Sequence, residues 1–316
     1  MISEILNKQD FTKEDIIQML SVDTNSDDFY RLLAKSNAMS RAAFHNKGYI
    51  FAQIGINAEG CSGNCKFCSM ARDHFLLPHV VELTDEEIVA QAKQVPDKVQ
   101  ALFLMTTADY DKERYLSVGK KVRAVLPENM DLVANIGDFD LEYARRLKEA
   151  GFSAVYHIVR LREGIDTDLD PQVRIQTIEA LLEAGLNLYY CVEPIGKEHS
   201  YEEIADEILR AKKYHVDVMA VMRRVNVPGT GYPADSEISA AELTKIAAVA
   251  RIVVDPKISM NVHEPLAMAM LGGVNQLYAE IGVNPRDTES HTENQRGYSV
   301  GAVEKMLNEG GYYLSV

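Results

Sequence analysis

Apolar residues near the amino terminus recur at helical spacing. Asp10-Phe11-Thr12-Lys13-Glu14-Asp15-Ile16-Ile17-Gln18-Met19-Leu20 opens on capping residues and continues with apolar side chains three and four apart. A second such stretch, from about Asp28 to Asn46, carries Phe29, Leu32, Leu33, Met39 and Phe44. Both read as helices, a cap (residues 1–48) over one end of the main body of the chain. From Tyr49 the pattern changes to short, apolar, β-rich runs alternating with amphipathic stretches. Strands are expected at Tyr49–Asn57, Ala101–Met105, Leu132–Ile136, Ala154–Val159, Leu186–Val192, Asp217–Met222, Ile258–Val262 and Gln276–Ile281. Helices are expected at about 84–95, 111–125, 140–150, 171–184, 201–213, 239–253, 265–272 and 301–308. Strands joined by helices of about 10–15 residues pair in parallel through right-handed crossovers. Eight such units predict an α/β fold, a (β/α)8 TIM-type barrel over 49–316, with an open doubly wound sheet as the alternative. No internal repeat and no Pro/Gly/Ser linker interrupts the chain, so one domain over 1–316 is expected.

In such a barrel the chemistry sits at the carboxyl ends of the strands. Polar residues gather there. Thr106-Thr107-Ala108-Asp109 follows strand two, Asn135-Ile136-Gly137-Asp138 ends strand three, and Arg160-Leu161-Arg162-Glu163 follows strand four. Glu193-Pro194-Ile195-Gly196, Arg223-Arg224-Val225-Asn226, His263-Glu264 and Asn284-Pro285-Arg286-Asp287 follow or end the remaining four. Loops are polar in any fold, but paired arginines directly after apolar strands are less expected.

The formal charge of −14 opposes binding to nucleic acid or an anionic membrane, though not a local basic pocket. The first residues carry neither a basic run nor an apolar one, and no stretch approaches the roughly 18 apolar residues of a membrane span. Four cysteines, three of them clustered, are no disulfide framework, and the expectation is a reducing cytoplasm.

Those three lie in Ala58-Glu59-Gly60-Cys61-Ser62-Gly63-Asn64-Cys65-Lys66-Phe67-Cys68, just after the first strand. Gly60 and Gly63 suit a tight turn. A closed zinc site would need a fourth ligand, such as His74. A redox disulfide in Cys65–Cys68 would leave Cys61 unexplained. A [4Fe–4S] cluster held by Cys61, Cys65 and Cys68, with one iron open, uses all three thiolates.

This C-x3-C-x-aromatic-C pattern, with Phe67 as the aromatic, resembles the radical S-adenosylmethionine enzymes. The first helix, the barrel order and the C-terminal segment make the chain similar to the branch containing biotin synthase, a hydrogenase maturase and methylornithine synthase. The resemblance implies that S-adenosylmethionine chelates the open iron and is cleaved by one electron. The resulting 5′-deoxyadenosyl radical then takes a hydrogen from a small substrate. A flavodoxin or ferredoxin is the implied electron donor. Cofactor contacts are implied for Phe67, for Thr106 and Thr107 where the family often has a Gly-Gly-Glu-like stretch, and for Arg160, Arg162 and Arg174 after strand four. Ile195 is the implied apolar contact to adenine, and Asn226, in Asn226-Val227-Pro228-Gly229-Thr230, resembles an adenine-contacting turn.

The substrate candidates are Glu193, Arg223, Arg224 and His157. Glu193 is either a substrate ligand or a partner of Arg223 or Arg224, and Glu264 also caps a helix start. Tyr156 and His157 alternate on one strand, so only one faces inward, and a strand histidine is commonly a core residue. Arginine forks suit a carboxylate-bearing substrate. Biotin synthase holds a second cluster with further cysteines, whereas only Cys191 remains here. Sulfur insertion is therefore disfavoured, leaving rearrangement, cleavage or radical addition. The alternatives are an iron–sulfur carrier or maturation scaffold without turnover, or a sulfur-inserting biotin-synthase-like enzyme.

Overall fold

The computed structural model describes residues 2–233, 235–281 and 297–314. Among these, eight parallel strands form a closed cylinder. They are β1 (Lys47–Gly55), β2 (Ala101–Met105), β3 (Asp131–Asn135), β4 (Ala154–Tyr156), β5 (Asn187–Ile195), β6 (Val218–Arg223), β7 (Ser259–Val262) and β8 (Gln276–Glu280). Each pairs with its successor, and β8 returns to β1 with Tyr278 opposite Phe51. The expected (β/α)8 barrel is therefore the observed fold. The described helices are α1 (Ile2–Ile5), α2 (Lys13–Leu20), α3 (Asp27–Phe44), α4 (Asp85–Ala92), α5 (Lys112–Arg123), α6 (Leu141–Glu149), α7 (Pro171–Glu183), α8 (Tyr201–Lys213), α9 (Ala240–Val254) and α10 (Val300–Glu309). Reciprocal capping boxes start α2 (Thr12 with Asp15), α4 (Thr84 with Glu87) and α8 (Ser200 with Glu203).

Alternation along the strands sorts the core into two. Ile50, Ala52, Leu102, Leu104, Leu132, Ala134, Leu277 and Ala279 face the helices. Phe51, Phe103, Val133, Ala154, Tyr189 and Tyr278 face inward and form a separate apolar cluster. Within it Phe51 stacks on Tyr189 at 5.7 Å, and Phe103 meets Tyr278 edge-on at 5.3 Å. This plug forms the floor of the space above it. Two residues further along the same faces stand Gln53, Met105, Asn135 and Tyr156, which line an opening at the carboxyl ends of the strands.

The structure departs from expectation in several elements. The stretch 265–272 forms a 3-10 turn, Ala267–Gly272, in place of a helix. The N-terminal helices pack against the outer layer, α2 on α8 and α3 on α9 and this turn. Ser36 Oγ donates to Gly272 O at 2.6 Å and Asn37 Nδ2 to Met270 O at 2.8 Å. A Cβ at Gly273, whose φ is 89°, would lie 2.8 Å from Ser36 O, so only glycine admits this approach. Lastly, β4 ends at Tyr156, three residues early. Arg286 and Asp287, expected after the eighth strand, lie outside the described residues. Among the described residues, no helix is long and apolar enough to cross a membrane.

Candidate active site

The cysteine loop leaves β1 and folds back over the barrel mouth. Cys61 N–H donates to Met70 O at 2.8 Å and Arg72 N–H to Cys61 O at 3.1 Å. The turn within the loop falls on Asn64, with φ 43°, rather than on Gly60 or Gly63. Asparagine tolerates this left-handed conformation, and here its side chain anchors both ways. Its Oδ1 accepts from Asp73 N–H at 3.1 Å and its Nδ2 donates to Asp168 Oδ2 at 2.8 Å. Cys61, Cys65 and Cys68 are half-buried and form no disulfide with one another. Backbone N–H groups point at two of the sulfurs, Ala108 at Cys61 and Met70 at Cys68, each at 3.4 Å. Amides aimed at thiolate sulfurs suit an iron–sulfur cluster. Burial pushes the Cys65 thiol up to about 12, with the charge of Arg160 pulling the other way. A bound iron would displace that proton outright.

The three cysteines face a cavity of about 390 Å³, within the roughly 300–1,000 Å³ of small-molecule sites. Of the expected cofactor residues, Phe67, Thr106, Thr107, Arg160 and Arg174 line it. Thr107 is locked to buried Asn57. Its N–H donates to Asn57 Oδ1 at 3.0 Å, and its hydroxyl accepts from Asn57 Nδ2 at 2.8 Å. Arg174, in the first turn of α7, donates through Nε to Ile158 O at 2.9 Å and through Nη1 to Asp138 Oδ1 at 3.1 Å. Of the substrate candidates, Glu193, Arg223 and Arg224 line the cavity. Glu193 accepts from the Tyr156 hydroxyl at 2.7 Å, and Arg160 Nε stands 3.6 Å from its other oxygen. Arg223 pairs with Glu264 at 2.6 Å. Arg224 grips both oxygens of Glu198 and lies 3.9 Å over the Tyr232 ring. Burial raises Glu264 above the usual carboxylate range despite Arg223.

Four expected residues are not brought to this cavity, and each has a local reason. His157 points outward because Tyr156 points inward. It is buried between barrel and helices, 6.0 Å from the Phe139 ring, with Nε2 3.2 Å from Asp138 Oδ1. Burial, aided by the charge of Arg174, pushes its pKa down to about 3. Arg162 turns away to Glu203, at 2.7 Å, and to Glu198 O, at 2.5 Å. Ile195 follows a register shift between Val192 and Ile195 that breaks the alternation, and it is fully buried in the outer core. Asn226 donates its N–H to Glu237 at 2.5 Å, while Val225 and Val227 line the cavity.

Gln53, Tyr278 and Glu280 are cavity residues that the sequence alone does not single out, while Asn135, expected at the end of strand three, lines the cavity as well. Parity finds them only once the inward face is known, since Gln53 is two beyond Phe51 on β1 and Glu280 two beyond Tyr278 on β8. His263 stacks on Tyr278 at 4.7 Å, and burial lowers its pKa.

The chain is similar to several known proteins. It is 26% identical over 340 aligned positions to a biotin synthase of Clostridioides difficile (strain 630), covering 99% of this chain and 97% of that one. It is also 26% identical to a biotin synthase of Ehrlichia canis (strain Jake), covering 86% and 87%. The fold matches methylornithine synthase (PylB) with TM-score 0.81 at 16% identity, over 100% of this chain and 97% of that one. It also matches the FeFe-hydrogenase maturase HydG from Carboxydothermus hydrogenoformans with TM-score 0.81 at 17% identity, over 98% and 78%. The family model described as Radical SAM superfamily covers residues 58–232, more than half of the 316, and includes the cysteine loop and five of the eight strands. This chain belongs to the Radical SAM superfamily.

Proposed function

We propose that this enzyme uses a [4Fe–4S] cluster on Cys61, Cys65 and Cys68, with S-adenosylmethionine, to take a hydrogen from a small carboxylate-bearing substrate held inside the barrel. When bound, cluster and cofactor supply a 5′-deoxyadenosyl radical; the protein supplies binding, orientation and exclusion of water. The observation that carries this reading is the shared cavity. The three sulfurs open onto the same 390 Å³ space as the Arg160, Arg174, Arg223 and Arg224 guanidinium groups and Glu193.

Phe67, Thr106, Thr107 and Arg174 stand nearest in role to the cofactor. Thr107, with its oxygen held as an acceptor by Asn57, keeps its proton to donate. Arg174 offers a guanidinium braced by a carbonyl and a carboxylate. Glu193, Arg223 and Arg224 are assigned to the substrate. The aromatic plug of Phe51, Phe103 and Tyr278 closes the space from below, which suits a radical that must not meet water. A sulfur-inserting reaction is disfavoured because a second, sulfur-donating cluster needs further thiolates and only Cys191 stands outside the triplet. The product is then a rearranged, cleaved or radical-adduct species, made with electrons from a flavodoxin or ferredoxin.

Anaerobic reconstitution tests this. About four irons per chain and dithionite-dependent 5′-deoxyadenosine from S-adenosylmethionine are expected, both lost in Cys65→Ala. Stoichiometric zinc without iron, or 5′-deoxyadenosine formed undiminished by Cys65→Ala, would overturn it. A cluster that never cleaves S-adenosylmethionine would favour a carrier.

A further inference from the structure

The segment after β4 is stitched to the cysteine loop. Lys66 N–H donates to Asp166 O at 3.0 Å, Asp168 N–H to Gly63 O at 2.8 Å, and Lys66 Nζ to Ile165 O at 2.8 Å. Arg160 stands at the root of this segment. Its main-chain N–H donates to Glu163 at 2.9 Å, so its backbone is fixed. Its guanidinium lies between two carboxylates, 3.4 Å from Glu163 and 3.6 Å from Glu193. Cys65, Arg160 and Glu193 all line the one cavity. Cysteine sulfur, guanidinium and carboxylate therefore share one space, with the guanidinium rooted in the segment stitched to the cysteine loop and reaching towards the carboxylate.

Resting on the proposed function, we infer that Arg160 and Glu193 form an electrostatic link through which the occupant of the cavity sets how readily the cluster accepts its electron. The step is a single electron passing from a flavodoxin- or ferredoxin-class donor to the cluster; no bond forms or breaks and no proton moves. Reduction adds one negative charge, so nearby positive charge favours it and nearby negative charge opposes it. In a low-dielectric site both effects are amplified. Glu163 offsets Arg160 permanently. It is buried, accepts a hydrogen bond from the Thr167 hydroxyl at 2.7 Å, and is tied to the Arg160 backbone. Glu193 differs because it faces the cavity. A substrate amine or hydroxyl that meets Glu193 neutralises or diverts its charge. The positive charge of Arg160 then acts on the cluster with one counter-charge fewer. Electron entry is favoured when the substrate is seated, which protects the cofactor from cleavage in an empty barrel. Arg160 is thus a positioning residue for the redox step as well as a cavity wall.

The test is a potentiometric titration of the reconstituted holoprotein, followed by electron paramagnetic resonance, with iron measured on every sample. Glu193→Gln imitates the neutralised state and is expected to favour reduction about tenfold, a shift of about 59 mV for one electron. Arg160→Gln is expected to disfavour it by a similar factor, and Arg160→Lys, which keeps the charge, to stay near wild type. Glu264→Gln removes the same charge from the same cavity, but its cation is Arg223; its shift should be under twofold. An iron-loaded Glu193→Gln protein with an unmoved potential, or one moved no more than Glu264→Gln, overturns the inference. If Arg160→Gln fails to fold or load, the Glu193→Gln and Arg160→Lys proteins still decide it. A wild-type protein that loads no iron fails the proposed function instead, so the two failures are distinct.

Discussion

Two arginines with different surroundings show what marks a site in this molecule. Arg251 on α9 is fully buried in the helical layer. Its Nε donates to Ser40 Oγ at 2.9 Å, its Nη1 meets Asp255 at 2.8 Å, and its plane lies 5.0 Å from the Phe44 ring. Every contact is short, and Arg251 is not among the residues lining the cavity. Arg160, at the barrel mouth, meets Glu163 and Glu193 only at 3.4 and 3.6 Å and borders the cavity. A buried charge held by short contacts away from any opening is a staple between elements. A half-buried charge in long contacts beside an opening has capacity left for a ligand. Charge alone does not separate the two; burial, contact length and access together do.

The contrast can be broken from either side. The largest effect is expected on stability at the staple. Arg251→Ala leaves a cavity beside Phe44 and the buried Ser40 hydroxyl unpaired, at about 3 kcal/mol. Asp255, whose side chain is 71% exposed, is simply resolvated and adds little. Urea unfolding should show the loss, while 5′-deoxyadenosine formed per loaded cluster stays at the wild-type value. A fall in that ratio would mean that the staple also serves the site. The next effect acts at the mouth. A Cβ at Gly137 would lie 1.8 Å from Ala108 O, a main-chain atom that cannot swing away. Gly137→Ala should cost about 1–3 kcal/mol and move the Ala108 N–H off the Cys61 sulfur. Iron loading should fall with it. Full loading at unchanged stability would sink the claim that this amide helps hold the cluster.

The same contrast explains what could be read in advance. The barrel was legible because β-rich runs and amphipathic stretches alternate along the chain, and the cysteine site because its three ligands are contiguous. Arg162 was not, since only the fold brings Glu203, the capping-box partner of Ser200 at the start of α8, within reach of it. Ile195 depends on a register shift that the pairing of β5 with β6 imposes. The inward side of β4 was undetermined because strands of a parallel barrel are buried on both faces and lack a polar side to orient them. Once Phe51 is known to face inward, Gln53 follows by parity, but no local signal says which of Phe51 and Ala52 does so.

Tyr156 and His157 therefore give the sharpest remaining comparison, and the smallest expected effect. Adjacent on one strand, they face the cavity and the helical layer respectively. The folded protein holds His157 near pKa 3, well below its ordinary 6.5. As pH falls below about 6.5, the unfolded chain takes up a proton that the folded chain refuses, so stability drops. The contribution is fully present above 6.5 and is lost towards pH 3, at up to about 1.4 kcal/mol per pH unit. Asp138 works lower. Burial tends to raise it, but His157 and Arg174 outweigh burial and hold it at about 2, below its usual 3.8, so its loss begins only under pH 4. Between pH 6 and 4.5 the difference between wild type and His157→Gln isolates the histidine. Glutamine can still donate to Asp138 but cannot titrate, so the variant should lose less stability across that window by about 1 kcal/mol per pH unit. At neutral pH it should still form 5′-deoxyadenosine at a rate within a few-fold of wild type, because the imidazole does not reach the cavity. Parallel stability curves would mean that His157 titrates normally, and loss of 5′-deoxyadenosine in a folded, iron-loaded variant would return His157 to the active site.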